Sequence, residues 1–72
     1  MLVGIVCKNI KERSLVANMY INEGVSFYKE YEGFIKLKYV NNNIEYEVLL
    51  FITPLENKLY DMVLNASEVL YV

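Results

Sequence analysis

Three observations predict a small α+β domain with the element order β-α-β-β-α-β. Two stretches of apolar–polar alternation flank a run of three asparagines, Asn41 to Asn43. Two segments with helical spacing carry their own start and stop signals. Two short runs, Val3-Gly-Ile-Val-Cys7 and Val48-Leu-Leu-Phe-Ile52, hold no charged or polar side chain, as strands buried on both faces do.

The first strand is the run from Met1 to Cys7, too short for a membrane span. Asn9-Ile-Lys-Glu12 then has the spacing of a capping box, which opens a helix from about Ile10 to Glu23. Leu15, Val16, Met19 and Tyr20 form its expected apolar stripe, and Gly24 supplies the left-handed residue that ends it. Residues 25–32 read either as an early part of the next strand or as an irregular lead-in, with Gly33 marking a bulge or bend.

The hairpin follows. Phe34 to Val40 and Asn43 to Leu49 both alternate with period two and are rich in β-branched and aromatic residues. Burying one face requires Ile35, Leu37 and Tyr39 on the same side as Ile44, Tyr46 and Val48, hence an even number of loop residues. A two-residue turn at Asn41-Asn42 satisfies that parity, since asparagine tolerates positive φ. It sets Lys38 opposite Glu45, Lys36 opposite Glu47 and Phe34 opposite Leu49, each ion pair contributing about 0.2–1 kcal/mol. A four-residue loop would set Lys38 opposite Glu47 but leave Lys36 against Leu49, a poorer charge match.

Thr53-Pro54-Leu55-Glu56 combines an N-cap threonine, proline at the first helical position and glutamate at the third. Leu55, Leu59, Met62, Val63 and Ala66 continue the helical spacing. Glu68 to Val72 reads as a short strand, with a continued helix as the alternative. Right-handed, short connections arrange these elements as a ferredoxin-like antiparallel sheet of order 4-1-3-2, counting the four expected strands, with both helices on one face. The strand bearing Lys36 and Lys38 then lies at an edge, where lysines deter unwanted pairing.

A chain of 72 residues makes one domain, and 56% apolar content excludes disorder. Ordering costs about 1.5 kcal/mol per residue, which burial in so small a domain only just offsets. Cys7 is the single cysteine and there is no histidine, so neither a disulfide nor an ordinary zinc site is expected, and no cofactor is implied. Self-association is the remaining source of stability. The lone cysteine and the absence of a basic leader point to a reducing, cytoplasmic setting.

With both helices on one face, the other sheet face would expose Phe34, Leu49 and Phe51 beside Lys36, Lys38, Glu45 and Glu47. Those seven residues are the expected contact surface, for self-association or a protein partner. Lys8, Lys11 and Arg13 surround the start of the first helix and could receive an anionic ligand there. Seven tyrosines and three phenylalanines invite base stacking, but a net charge of −2 and scattered basic residues argue against nucleic acid. No nucleophile–base constellation is present, and Cys7 reads as a buried thiol, so no enzymatic activity is expected.

The element order is similar to that of the trimeric signalling and metal-tolerance proteins of the PII and CutA type. That likeness covers elements rather than motifs, and it implies ligand clefts between subunits without assigning any residue. The expectation is a non-catalytic interaction or regulatory module that binds a partner protein through its sheet. The alternative is a sensor of a nucleotide or other anionic metabolite.

Overall fold

The computed structural model describes residues 1–72, in the order β1 Leu2–Cys7, α1 Ile10–Glu23, β2 Phe27–Tyr31, β3 Phe34–Asn41, β4 Ile44–Ile52, α2 Asn57–Leu64 and β5 Glu68–Tyr71. The fold is α+β, with five strands in one mixed sheet of order β2-β3-β4-β1-β5. β2, β3 and β4 are antiparallel neighbours, whereas β4, β1 and β5 run parallel.

This arrangement corrects the ferredoxin-like expectation, and the cause is local. Residues 27–31 form a full strand, and Glu32-Gly33 is the two-residue turn of a hairpin in which Tyr31 pairs with Phe34. Gly33 is not a bulge. Its φ of +93° is the positive value that such a turn needs. The added strand adds one chain reversal, so β4 runs parallel to β1 rather than antiparallel to it. Crossovers of one hand that leave parallel strands in opposite lateral directions must cover opposite faces of the sheet.

The two cores show that outcome. Val3, Ile5, Cys7, Ile35, Leu37, Val48 and Leu50 pack with Ala17 of α1 on one face. Leu49 and Phe51 pack with Leu59 and Val63 of α2 on the other. The two helices therefore do not share a face. β1 and the second half of β4, residues 48–51, are interior and buried on both sides, as their uniformly apolar sequences require. β3, with Lys36 and Lys38, is also interior, and β2 with Lys29 takes the edge.

The Asn41–Asn43 hairpin keeps its expected parity but not its expected register. Asn41 pairs with Ile44, and the turn is Asn42-Asn43, both at positive φ (53° and 65°), the pattern of a type I′ turn. Every pairing moves by two residues, so Lys38 faces Glu47 and Lys36 faces Leu49. This shift places Tyr39 against Tyr46 with rings stacked at 4.9 Å, and Phe34 against Phe51. Aromatic pairs are worth about 0.5–1.5 kcal/mol beyond their burial, more than exposed ion pairs return.

Two helix details also differ from expectation. Asn9 does cap α1, its side chain accepting from Glu12 N–H at 2.8 Å, and Glu12 reaches back to Lys8 N–H at 2.9 Å. Yet Val16, Ala17 and Tyr20 pack on the sheet, while Leu15 and Met19 point to solvent. α2 starts later than the Thr53 capping signal indicates. Its N-cap is Glu56, without a side-chain cap bond, and Thr53-Pro54 is a cis peptide in the preceding bend. The chain closes as a strand, β5.

Gly33 also abuts α2: a Cβ there would lie 3.1 Å from Leu59 Cδ1. Gly33→Ala should cost about 1–2 kcal/mol through the left-handed backbone alone, with the Leu59 contact adding to it. In a Leu59→Val background that addition should vanish. Urea denaturation of the four variants in the cycle measures it, and strict additivity would show that the contact is immaterial.

Candidate functional site: an apolar cleft beside a lysine stripe

The short helix α2 covers only part of its sheet face. Leu59 and Val63 pack on Leu49 and Phe51, which are 5% and 0% exposed, so Phe51 is unavailable for direct contact. Toward β3 and β2 the face is open. There the register lines up Phe27, Lys29 and Tyr31 of β2 beside Lys38, Lys36 and Phe34 of β3.

A cleft of about 380 Å³ lies between this open half and the flank of α2, lined by Leu2, Tyr31, Phe34, Lys36, Glu47, Leu49, Met62 and Asn65. Tyr31 and Phe34 stack face to face at 4.9 Å and form one wall. Lys36 and Glu47 meet at 2.8 Å and form a polar rim. They are not directly opposite each other. The pair is a diagonal one, which long side chains span readily, so it survives the change of register. The hydrogen bond to Glu47 holds the Lys36 ammonium above its ordinary 10.5.

The lysines are arranged in a manner that stability alone would oppose. Lys29 and Lys36 are cross-strand partners, and like charges directly opposite are destabilising. Lys36 is neutralised by Glu47, while Lys29 lies over the Tyr31 ring at 4.8 Å and Lys38 over Phe27 at 5.5 Å. Aromatic faces thus tolerate two cations that lack a carboxylate partner.

Of the residues expected at a contact surface, Phe34, Lys36 and Glu47 join in the cleft, Lys38 flanks it, and Leu49 forms its floor. Phe51 is sealed, and Glu45 sits beyond the rim opposite Val40. Sequence reasoning missed Tyr31, Met62 and Lys29. The signal for two of them was the Glu32-Gly33 pair between alternating runs, itself a two-residue hairpin pattern.

Lys8, Lys11 and Arg13 are not brought together. Helical spacing sets Lys11 and Arg13 on opposite sides of α1, and Arg13 is turned inward, its Nε buried without a hydrogen-bond partner. At the start of α1, Asn9 accepts from Glu12 N–H and the Glu12 carboxylate accepts from Lys8 N–H, so a negative charge already stands at that end of the helix. Cys7 is fully buried, and that burial, helped by Glu12, pushes its thiol up against the opposing effect of Arg13. A raised thiol is a poor nucleophile at neutral pH.

No family model, curated protein or solved structure matches the chain. No helix is long and apolar enough to cross a membrane.

At the far end of the sheet, on the α1 side, Tyr20 packs on Tyr39 at 5.5 Å and Tyr39 stacks on Tyr46. Burial first, then Tyr39, Glu23 and Glu68, raise the Tyr20 phenol above 10.0, and burial, Tyr46 and Glu23 do the same for Tyr39. The folded state therefore holds these protons more tightly than the unfolded chain. Their contribution is complete below pH 10 and is lost as pH rises through the folded values. Tyr39→Phe should flatten the decline in urea midpoint between neutral and strongly alkaline pH, and an unchanged alkaline slope would contradict the coupling.

Proposed function

We propose that the protein is a non-catalytic interaction module that receives a segment of a partner protein in the cleft between the β2–β3 hairpin and α2. The observation that carries this reading is the combination at one place of an apolar cavity of about 380 Å³ and a stripe of three lysines in a chain of net charge −2. Apolar concavities with a few fixed polar groups are the usual form of binding sites. The stripe adds a sign preference.

The matching segment has an aromatic or aliphatic anchor flanked by carboxylates. The anchor enters between Tyr31, Phe34 and Met62, and the carboxylates meet Lys29, Lys36 and Lys38. Opposite charge steers the encounter and selects orientation, while burial of the anchor supplies most of the affinity.

Selection of a displayed random-peptide library on the immobilised chain tests this. Enriched peptides should share Asp or Glu next to a large apolar residue, and Met62→Asp should weaken the best of them at least tenfold. Raising salt should weaken binding further, because the lysines are solvent-exposed or nearly so. No enrichment, or binding indifferent to both Met62→Asp and Lys36→Glu, would remove the reading.

A further inference from the structure

We propose that two copies of this chain join through the free edge of β5, in antiparallel register about Leu70, to form one continuous ten-stranded sheet. The surface lies at the opposite end of the sheet from the cleft and does not depend on it.

The sheet has two open edges, β2 and β5. They are not equivalent. β2 reads Phe-Tyr-Lys-Glu-Tyr, and β5 with the next residue reads Glu-Val-Leu-Tyr-Val. A two-fold axis that continues one sheet brings each residue against one from the same face of the second copy. Centring that axis on Lys29 or Glu30 of β2 sets like charges opposite each other. Centring it on Leu70 of β5 sets Glu68 against Val72 and Val69 against Tyr71, with no side-chain charge opposed by its like. A lysine in mid-strand guards the β2 edge in the way that edges are ordinarily guarded, whereas β5 is guarded only by its shortness and by Glu68 at its start, with no charge in mid-strand.

The backbone agrees with that register. Val72 N–H donates to Val6 carbonyl at 3.0 Å, which turns Val72, and by alternation Leu70, toward β1. Val69 and Tyr71 then hold their N–H and C=O groups on the outer side. In the register centred on Leu70 those two residues face each other across the axis, so all four outward groups in each copy find partners.

The side chains around this edge are apolar and exposed: Leu70 45%, Tyr71 72% and Val72 47%. Tyr71 shares its face with α2. Tyr60 and Leu64, 51% and 64% exposed, lie on the flank of that helix opposite Met62, which is the flank toward β5. Pairing of β5 would cover this group from both copies at once.

Sedimentation equilibrium should give wild-type protein a mass approaching twice the 8.4 kDa of one chain. Leu70→Lys would oppose two ammonium groups on the axis and should raise the dissociation constant at least tenfold while leaving the far-ultraviolet circular dichroism unchanged. A second variant does not rely on that one folding. Leu70 pairs with its copy at a site without ladder hydrogen bonds, where Cα atoms are about 4.5 Å apart, within disulfide reach. Mild oxidation of Leu70→Cys should therefore give a covalent dimer, and Tyr28→Cys on the other edge should not; Cys7 is buried and does not compete. Met62→Asp should leave the dimer intact. A monomer at all concentrations, a dimer indifferent to Leu70→Lys, or a cross-link through Tyr28→Cys instead would overturn the proposal.

Discussion

The reversal at Glu32-Gly33 sets the direction of everything that follows it. Without it, β4 would return antiparallel to β1, and α2 would be carried to the same face as α1. With it, β4 runs parallel to β1, and the chain must leave β4 across the far face to reach β5. One residue able to hold a φ of +93°, packed against Leu59 of α2, therefore links the hairpin geometry to the place where the second helix lands.

Splitting the helices between two faces divides an already small core. The α1 side closes over eight buried residues, but the eight-residue α2 seals only the β4 and β1 side of its face. A short helix cannot span five strands, which lie about 4.8 Å apart. The uncovered half is the wall of the cleft, and its aromatic residues, Tyr31 and Phe34, are held by stacking on each other and by contact with Phe51 beneath. The site is thus a by-product of topology: it exists where the second layer runs out.

Electrostatics sharpen that surface. The chain as a whole is acidic, yet the exposed part of the α2 face concentrates lysines in adjacent strands, two of them directly opposite. The ring faces of Tyr31 and Phe27 and the carboxylate of Glu47 make the arrangement tolerable within the monomer. The opposite edge of the sheet carries one charge, Glu68 at its start, and is otherwise apolar. Two surfaces of different chemistry at the two ends of one sheet suit two different contacts.

The amino-acid sequence was sufficient for whatever depends on neighbours along the chain. Asn9 and Glu12 cap α1, Gly24 ends it, and the apolar runs of β1 and β4 lie inside the sheet, because caps and two-sided burial leave local patterns. The inward set of the Asn41–Asn43 hairpin was legible for the same reason, since parity survives any shift of two residues, although Ile44, next to the turn, is half exposed rather than buried. The register itself was not legible, because Lys36 and Glu47 meet equally well straight or diagonally; the observed register is the one that stacks Tyr39 on Tyr46 and sets Phe34 in tilted contact with Phe51. Which face α2 covers, and hence that Phe51 is sealed while Tyr31 and Met62 line a cleft, was decided by strand direction summed over the whole chain. No local segment carries that sum, so only the assembled sheet could settle it.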